Sequence, residues 1–510
     1  MSHPLELSGG ELPALPPSWC WVKIGDLQPE FQNGLASRGE HGGSPTVVLR
    51  LADVSNGTIS LKTARSLPVR DVWKIKYSAM SNDILIVRVN GSTDIVGQFI
   101  VCNFDNLVYC DHFIRMRTQP DVTDHRFLAL LGSSPIVRSQ IERLFVSTAG
   151  QKTVNQRHVS SIVIPLPPRP EQDRIVSAIE EQFSRLDAGI AALRRARQNL
   201  NRMRDAVLRA AVTGKSLRED STPIAPDTSL DRPLSASLTG ENARKVERAT
   251  RGLMPRTWDI PPSWTWKAAA DVCEVIASGS TPVQAAMSPD SGDIPYIKVY
   301  NLTHRGYLDF TIRPTFIDRS THEGPLRRSR LRPGDILTNI VGPPLGKVAV
   351  VPSDYPEWNT NQAVVVFRPI KSLNPKLLKY WLLSSPVLAV LESTSRATAG
   401  QFNVSLTTCR AVPLPIPPRA DQDAIVADIE GKLSIIEAQE AIIDKLMVRA
   451  GTLRSVILST AFSGKLVPQD SADEPATALI QRIAAARASS NGYQPAKDRK
   501  PRVLREEVTT

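Results

Sequence analysis

Gly214-Lys215-Ser216 has the residue types that close a phosphate-binding loop, in which backbone N–H groups and a lysine cradle a nucleotide's phosphates. Such a loop needs a second glycine five residues before Gly214, and that position is Arg209. The trio returns as Gly464-Lys465-Leu466, where the hydroxyl that would hold Mg2+ is missing. GPPLGK at Gly342–Lys347 has the wrong spacing as well. Glycine followed by lysine at the end of an apolar periodic segment reads instead as a helix C-cap.

Other chemistry is equally hard to assemble. No GxGxxG follows a strand-like run, and neither a D/N-P-P-aromatic tetrad nor a paired-carboxylate-plus-lysine set is present. His112, His125, His158 and His304 have no metal-ligand spacing and read as surface or hydrogen-bonded core residues. The five cysteines are scattered without a CxxC, so no metal is expected and no disulfide framework. The chain reads as a binder that carries no cofactor. Its net charge of +11 points to an anionic partner, with nucleic acid first. That charge is split: Leu15–Pro165 and Trp258–Pro415 each hold sixteen Lys/Arg against twelve Asp/Glu. There is no run of eighteen apolar residues and no basic-then-apolar leader, so no membrane partner and a cytoplasmic location are expected.

What would position such binding surfaces is a duplicated plan. LPPSWCW at Leu15–Trp21 recurs as IPPSWTW at Ile260–Trp266, and the DIL element of Ser81–Ser92 as Pro333–Pro344. TAGQ stands at Thr148–Gln151 and Thr398–Gln401, and VTGKSL at Val212–Leu217 answers FSGKLV at Phe462–Val467. From TAGQ through the GK element, 70 positions align without a gap, whereas the stretches between PPSW and TAGQ need gaps. One part of the plan is fixed and the other varies.

The variable heads read as mixed α/β with short strands. TVVLRLADV (46–54), PYIKVYNL (295–302), DILIVRV, KVAVV and NQAVVVFRP are strand-like, and HRFLALLGSSP and PKLLKYWLLSSP read as helices stopped by Ser-Pro. In the fixed part, a stiff PLPPR or PIPPR leads into a long amphipathic helix. Ile179, Leu186, Leu193, Leu200 and Val207 recur every seven residues, with Val176, Phe183 and Ile190 as companions until Arg197 and Arg204 take over those places. Ile429, Ile436, Ile443 and Ile457 repeat the spacing in the second copy. Sustained a/d spacing argues for a coiled coil, and two copies in one chain can pair antiparallel. The expected fold class is therefore α+β, with two globular mixed α/β heads separated by two long helices in an antiparallel coiled coil and a pseudo-two-fold internal duplication.

The order PPSW, strands, GDIL-like turn, TAGQ, P-L/I-PP, Q-D-x-I-V, long helix and GK resembles the specificity (S) subunits of Type I restriction–modification systems over about residues 12–470. SGSTP at Ser278–Pro282 and NQAVV at Asn361–Val365 are similar to elements of that family's target-recognition domains. The first half departs from them: QNGLASR (32–38) offers no clear match to SGSTP, and Asp111-His112 aligns with Asn361-Gln362. The resemblance implies target-recognition domains at 12–165 and 258–415, conserved helical regions at 166–215 and 416–467, a linker at 216–257 and a tail at 468–510. It further implies that double-stranded DNA is read as a split asymmetric site, one domain per half-site. Two methyltransferase (M) subunits would dock on the helical regions, where Ile179, Leu186, Leu193, Leu200, Val207, Ile429, Ile436, Ile443 and Ile457 serve as spacer and docking positions. Restriction/translocase (R) subunits join through them. S-adenosylmethionine, ATP and Mg2+ would belong to those partners. The alternative is a stand-alone two-headed DNA-binding or regulatory protein.

Phosphate contact needs Lys or Arg, and base reading in the major groove favours Arg, Lys, Asn and Gln. Arg50 and Lys298 end matching β-rich runs, Arg88 follows the first DIL element, Arg327, Arg328 and Arg330 form the densest basic cluster, and Lys347 closes GPPLGK. These seven are the candidate DNA contacts.

Overall fold

The computed structural model describes residues 12–36, 42–55, 57–148, 150–215, 232–255, 258–394, 396–398 and 401–491. The two TAGQ elements, QNGLASR, the 216–257 segment and the tail therefore lie partly outside the described residues. The chain divides into two compact units, Met1–Ala192 with Lys445–Thr510 and Leu193–Asp444. Each unit thus holds one head and a stretch of each long helix.

In the first unit, an antiparallel sheet runs Phe99–Val101, Ile84–Val87, Phe113–Arg117, Glu30–Asn33. A second sheet orders Ser66–Val69, Ser44–Leu49, Leu107–Tyr109, Ser78–Ala79, with the 44–49 and 107–109 strands parallel. In the second unit the same plan recurs. Cys273–Ser278, Val364–Pro369, Ile336–Asn339 and Val348–Val350 form one sheet, and Met287–Pro289, Thr315–Ile317, Ile294–Ile297 and Asn359–Thr360 the other. The 294–297 and 359–360 strands are again the parallel pair. Ile84–Val87 and Ile336–Asn339 are buried throughout, so their side chains pack on both faces. That double burial explains why neither run shows polar–apolar alternation.

Two expected elements end differently from their sequence signals. The strand runs stop at Leu49 and Ile297, because the next residues, Arg50 and Lys298, cap 3-10 turns at Leu51–Asp53 and Val299–Asn301. The backbone N–H of Arg50 donates to Asp53 Oδ2 and that of Lys298 to Asn301 Oδ1. Ser-Pro, read as a stop, also starts a helix: His125–Gly132 is followed by Pro135–Leu144, and Pro375–Leu383 by Ser385–Ser393. Proline lacks only an N–H that the first turn does not use.

The segment expected to be a linker is partly folded. Leu234–Ser237 and Gly240–Leu253 are helical, and Leu234, Leu238, Ala249 and Leu253 pack on a cluster of Val246, Ala270 and Ala411. Helical spacing of a few apolar side chains was hidden there by the surrounding Ser, Thr and charges.

The long helices are Arg169–Val212 and Arg419–Phe462, 44 residues each. They run antiparallel. In the second unit Arg197 pairs with Asp444 and Arg204 with Glu437, seven residues forward on one helix and seven back on the other. In the first unit Asp187 pairs with Arg454 at 2.6 Å, and the Arg454 guanidinium lies over the Phe183 ring. Ile175, Val176 and Ile179 of one helix and Ile457, Leu458, Ala461 and Phe462 of the other share the core of head 1.

Each helix ends at its GK element in a left-handed glycine, Gly214 at φ 72° and Gly464 at φ 73°. Lys215 and Lys465 N–H groups donate five residues back, to Ala210 O and Thr460 O, which closes the helix end. A Cβ on Gly214 would stand 2.3 Å from Pro261, and one on Gly464 2.3 Å from Pro16. The GK and PPSW motifs of the sequence are thus two sides of one contact, made once in each unit.

Candidate nucleic-acid interface

Hydrogen bonds fix how the two heads correspond. Cys110 N–H donates to Leu49 O and Asn361 N–H to Ile297 O; Arg88 N–H donates to His112 O and Ile340 N–H to Ala363 O. Cys110-Asp111-His112 therefore occupies the frame of Asn361-Gln362-Ala363, one residue out of step with the alignment of Asp111-His112 on Asn361-Gln362. The gaps between the heads leave such a one-residue shift invisible in sequence. The same frame supplies the missing match for SGSTP. Gly34 N–H donates to Phe113 O as Gly279 N–H does to Val364 O, and at both glycines a Cβ would collide with the carbonyls of the facing strand. A single shared glycine was the only signal for that match.

In head 1 both candidate cations are engaged. Arg50 donates through Nε and Nη2 to the buried Asp53 and through Nη2 to Thr63 O. Arg88 donates from Nη1 to Asp111 O at 2.9 Å, which ties the 110–112 loop to the strand end. Their positive charge remains near the loop, but neither guanidinium projects freely.

Head 2 is different at the matching place. Asn301 stands where Asp53 does, so Lys298 faces an amide rather than a carboxylate and forms no ion pair among the described residues. Its ammonium lies 6.0 Å from the Tyr296 ring centroid. Arg327, Arg328 and Arg330 are exposed on one 3-10 turn and also lack ion pairs among the described residues. Buried Leu326, Ser329 and Leu331 anchor that turn. Asn359 Nδ2 donates to Leu326 O and to His322 Nδ1, and burial pushes the His322 imidazole below its usual value, which keeps that nitrogen free to accept. Arg332, not singled out in the sequence, is exposed beside the three. Lys347 is half-buried, with its backbone N–H held by Asn339 Oδ1 and its carbonyl by Thr338 Oγ1.

Of the helical positions, Ile179 and Ile457 are buried in the first unit and Leu186 is half-buried. In the second unit Leu200, Ile429, Ile436 and Ile443 are buried, and Leu193 and Val207 half-buried. The second helix also carries apolar residues that stay exposed: Ile435 and Ile442 in one unit, Leu446, Leu453 and Val456 in the other. Where apolar periodicity is interrupted in the first helix, Arg204 meets Glu440, whose side chain is 4% exposed; Arg305 from head 2 reaches the same carboxylate at 3.0 Å.

The two heads share one topology and carry different side chains on the same frame. Residues 261–446 match the family model for the Type I restriction modification DNA specificity domain. The chain is 31% identical over 236 residues to the Type I restriction enzyme StySPI specificity subunit of Salmonella potsdam, a match covering 46% of this chain and 50% of that relative. It is 25% identical over 502 residues to the EcoBI specificity subunit of Escherichia coli, covering 92% and 93%. The chain thus spans about half the length of the first relative and nearly all of the second. A solved chain from work on the complex assembly and conformational transition of the Type I R-M system aligns with a TM-score of 0.64 at 17% identity, over 89% of this chain and all of that one, and shares its fold. Over these spans the chain is similar to Type I restriction–modification specificity subunits. No helix among the described residues is long and apolar enough to cross a membrane.

Proposed function

We propose that this chain supplies the DNA sequence specificity of a Type I restriction–modification complex in the cytoplasm. The heads, 12–165 and 258–415, each read one half of a split asymmetric site in double-stranded DNA. The helical regions, 166–215 and 416–467, hold the half-sites apart and dock two M subunits, through which R subunits join. S-adenosylmethionine, ATP and Mg2+ act on those partners, and this chain is not itself catalytic. The observation that carries the reading is one hydrogen-bonded frame presenting Cys110-Asp111-His112 in one head and Asn361-Gln362-Ala363 in the other. A frame kept while its side chains change is what two independent readers require.

Within head 2, Arg327, Arg328 and Arg330 meet phosphates, and Lys298 and Lys347 add to that surface; in head 1, Arg50 and Arg88 position the loop. M subunits dock on exposed apolar side chains of the second helix, Ile435 and Ile442 in one unit and Leu446, Leu453 and Val456 in the other, since the buried positions of the heptads are occupied by the chain's own packing. The test replaces Trp258–Pro415 with the corresponding domain of another family member and maps methylated sites in the assembled complex. One half of the site should change and the other stay; a change in both or in neither overturns independent reading. Changing Arg327, Arg328 and Arg330 to Ala should weaken binding to all sequences alike and lower the salt-dependence slope by roughly three.

A further inference from the structure

We propose that Cys110, Asp111 and His112 form a transition-metal site in head 1, best suited to Zn2+. Cys110 Sγ and His112 Nδ1 lie 3.7 Å apart, and His112 Nδ1 and Asp111 Oδ1 3.4 Å. The three ligand atoms all fall within 4.8 Å of one another. A tetrahedral zinc with Zn–S of about 2.3 Å and Zn–N or Zn–O of about 2.0–2.2 Å separates its ligand atoms by roughly 3.3–3.6 Å. The two distances made by the His112 ring nitrogen are close to those between ligands around an ion.

The backbone holds this arrangement before any ion arrives. Cys110 N–H is fixed to Leu49 O, Asp111 N–H to Leu35 O, and His112 O to Arg88 N–H, while Arg88 Nη1 donates to Asp111 O. Asp111 Oδ1 is a buried oxygen with no hydrogen-bond partner among the described residues and only the His112 ring nitrogen close by at 3.4 Å, so a cation there would satisfy it. The Arg50 guanidinium is held by the Asp53 carboxylate, which offsets part of its charge near the loop. As sulfur binds, the thiol gives its proton to solvent; thiolate, carboxylate and neutral imidazole then balance a divalent charge. A soft sulfur with imidazole and carboxylate selects Zn2+ over Mg2+ or Ca2+, and three protein ligands leave one position for water. Head 2 presents Asn361-Gln362-Ala363 on the same frame, so the site belongs to head 1 alone.

The test uses the full chain, stripped with chelator and titrated with Co2+. Expected are one ion bound per chain, tetrahedral d–d bands and a thiolate-to-cobalt charge-transfer band, all displaced by Zn2+. Cys110→Ser should abolish the charge-transfer band, and His112→Ala should turn tight one-to-one saturation into a weak rise without a plateau. Cys102→Ser, a buried thiol outside the cluster, should leave both unchanged. Because His112 is partly exposed, its variant keeps the test valid should Cys110→Ser fail to fold. Absence of the charge-transfer band in the unaltered chain overturns the site, as does a band that survives His112→Ala with its saturation intact.

Discussion

Gly464 shows how much a single residue can decide here. Its φ of 73° is strained for any residue with a Cβ, and that Cβ would stand 2.3 Å from Pro16 and 3.5 Å from Trp19. Gly57, at φ 72°, has nothing within 4 Å of the same position and isolates the backbone cost. Gly57→Ala should therefore cost about 1–2 kcal/mol, the left-handed penalty alone. Gly464→Ala should cost clearly more, because the chain must also move off Pro16. Equilibrium unfolding of the full chain checks the difference, and equal losses would mean that the GK–PPSW contact yields freely. The motif itself was legible in the sequence, and so was its role as a helix cap. Its partner was not, because PPSW lies more than 400 residues away from Gly464 in one unit and follows Gly214 by some fifty in the other.

At the scale of elements, the long helices were legible in period and length, and their antiparallel pairing follows from the duplication. Charge placement was not. Arg197 and Arg204 both interrupt the apolar spacing, yet the structure treats them differently. Arg197 and Asp444 remain half-exposed, whereas Arg204 is 13% exposed against the buried Glu440. An exposed pair contributes about 0–1 kcal/mol, while removing one partner of a buried pair costs about 3–5 kcal/mol. Arg305, 45% exposed, still reaches Glu440 when Arg204 is absent and softens that loss. Arg204→Ala should thus destabilise the chain by about 2–3 kcal/mol, and Arg197→Ala by less than about 1 kcal/mol. Denaturant midpoints of the two variants decide this, and similar values would place Glu440 in an environment wetter than its burial implies. The sequence likewise named candidate cations by residue type but could not rank them. Asp53 and Asn301, three residues beyond Arg50 and Lys298, are what engage one charge and leave the other unpaired.

For the whole molecule, the helices suggest a ruler. Each runs unbroken for 44 residues, roughly 66 Å at 1.5 Å per residue. Their register is set by pairs such as Arg197 with Asp444, so seven residues added to both helices at those two points preserve the pairing on either side. An α-helical heptad adds roughly 10 Å, close to three base pairs of axial rise at 3.4 Å each. If helix length sets the unread spacer between half-sites, the double insertion should lengthen that spacer by about three base pairs and leave both half-site sequences as they were. A heptad added to only one helix should instead shift the register by about two turns on one side of the insertion, breaking pairs such as Arg204 with Glu437, and should weaken assembly. The measurement is the map of methylated bases in complexes containing M subunits. Double-insertion complexes that methylate at the original spacing would show that the heads, and not the helices, fix the distance. The exposed stripe on the second helix supplies the internal control: Ile435→Ser with Ile442→Ser should reduce M-subunit binding without altering the spacing in whatever complex still forms.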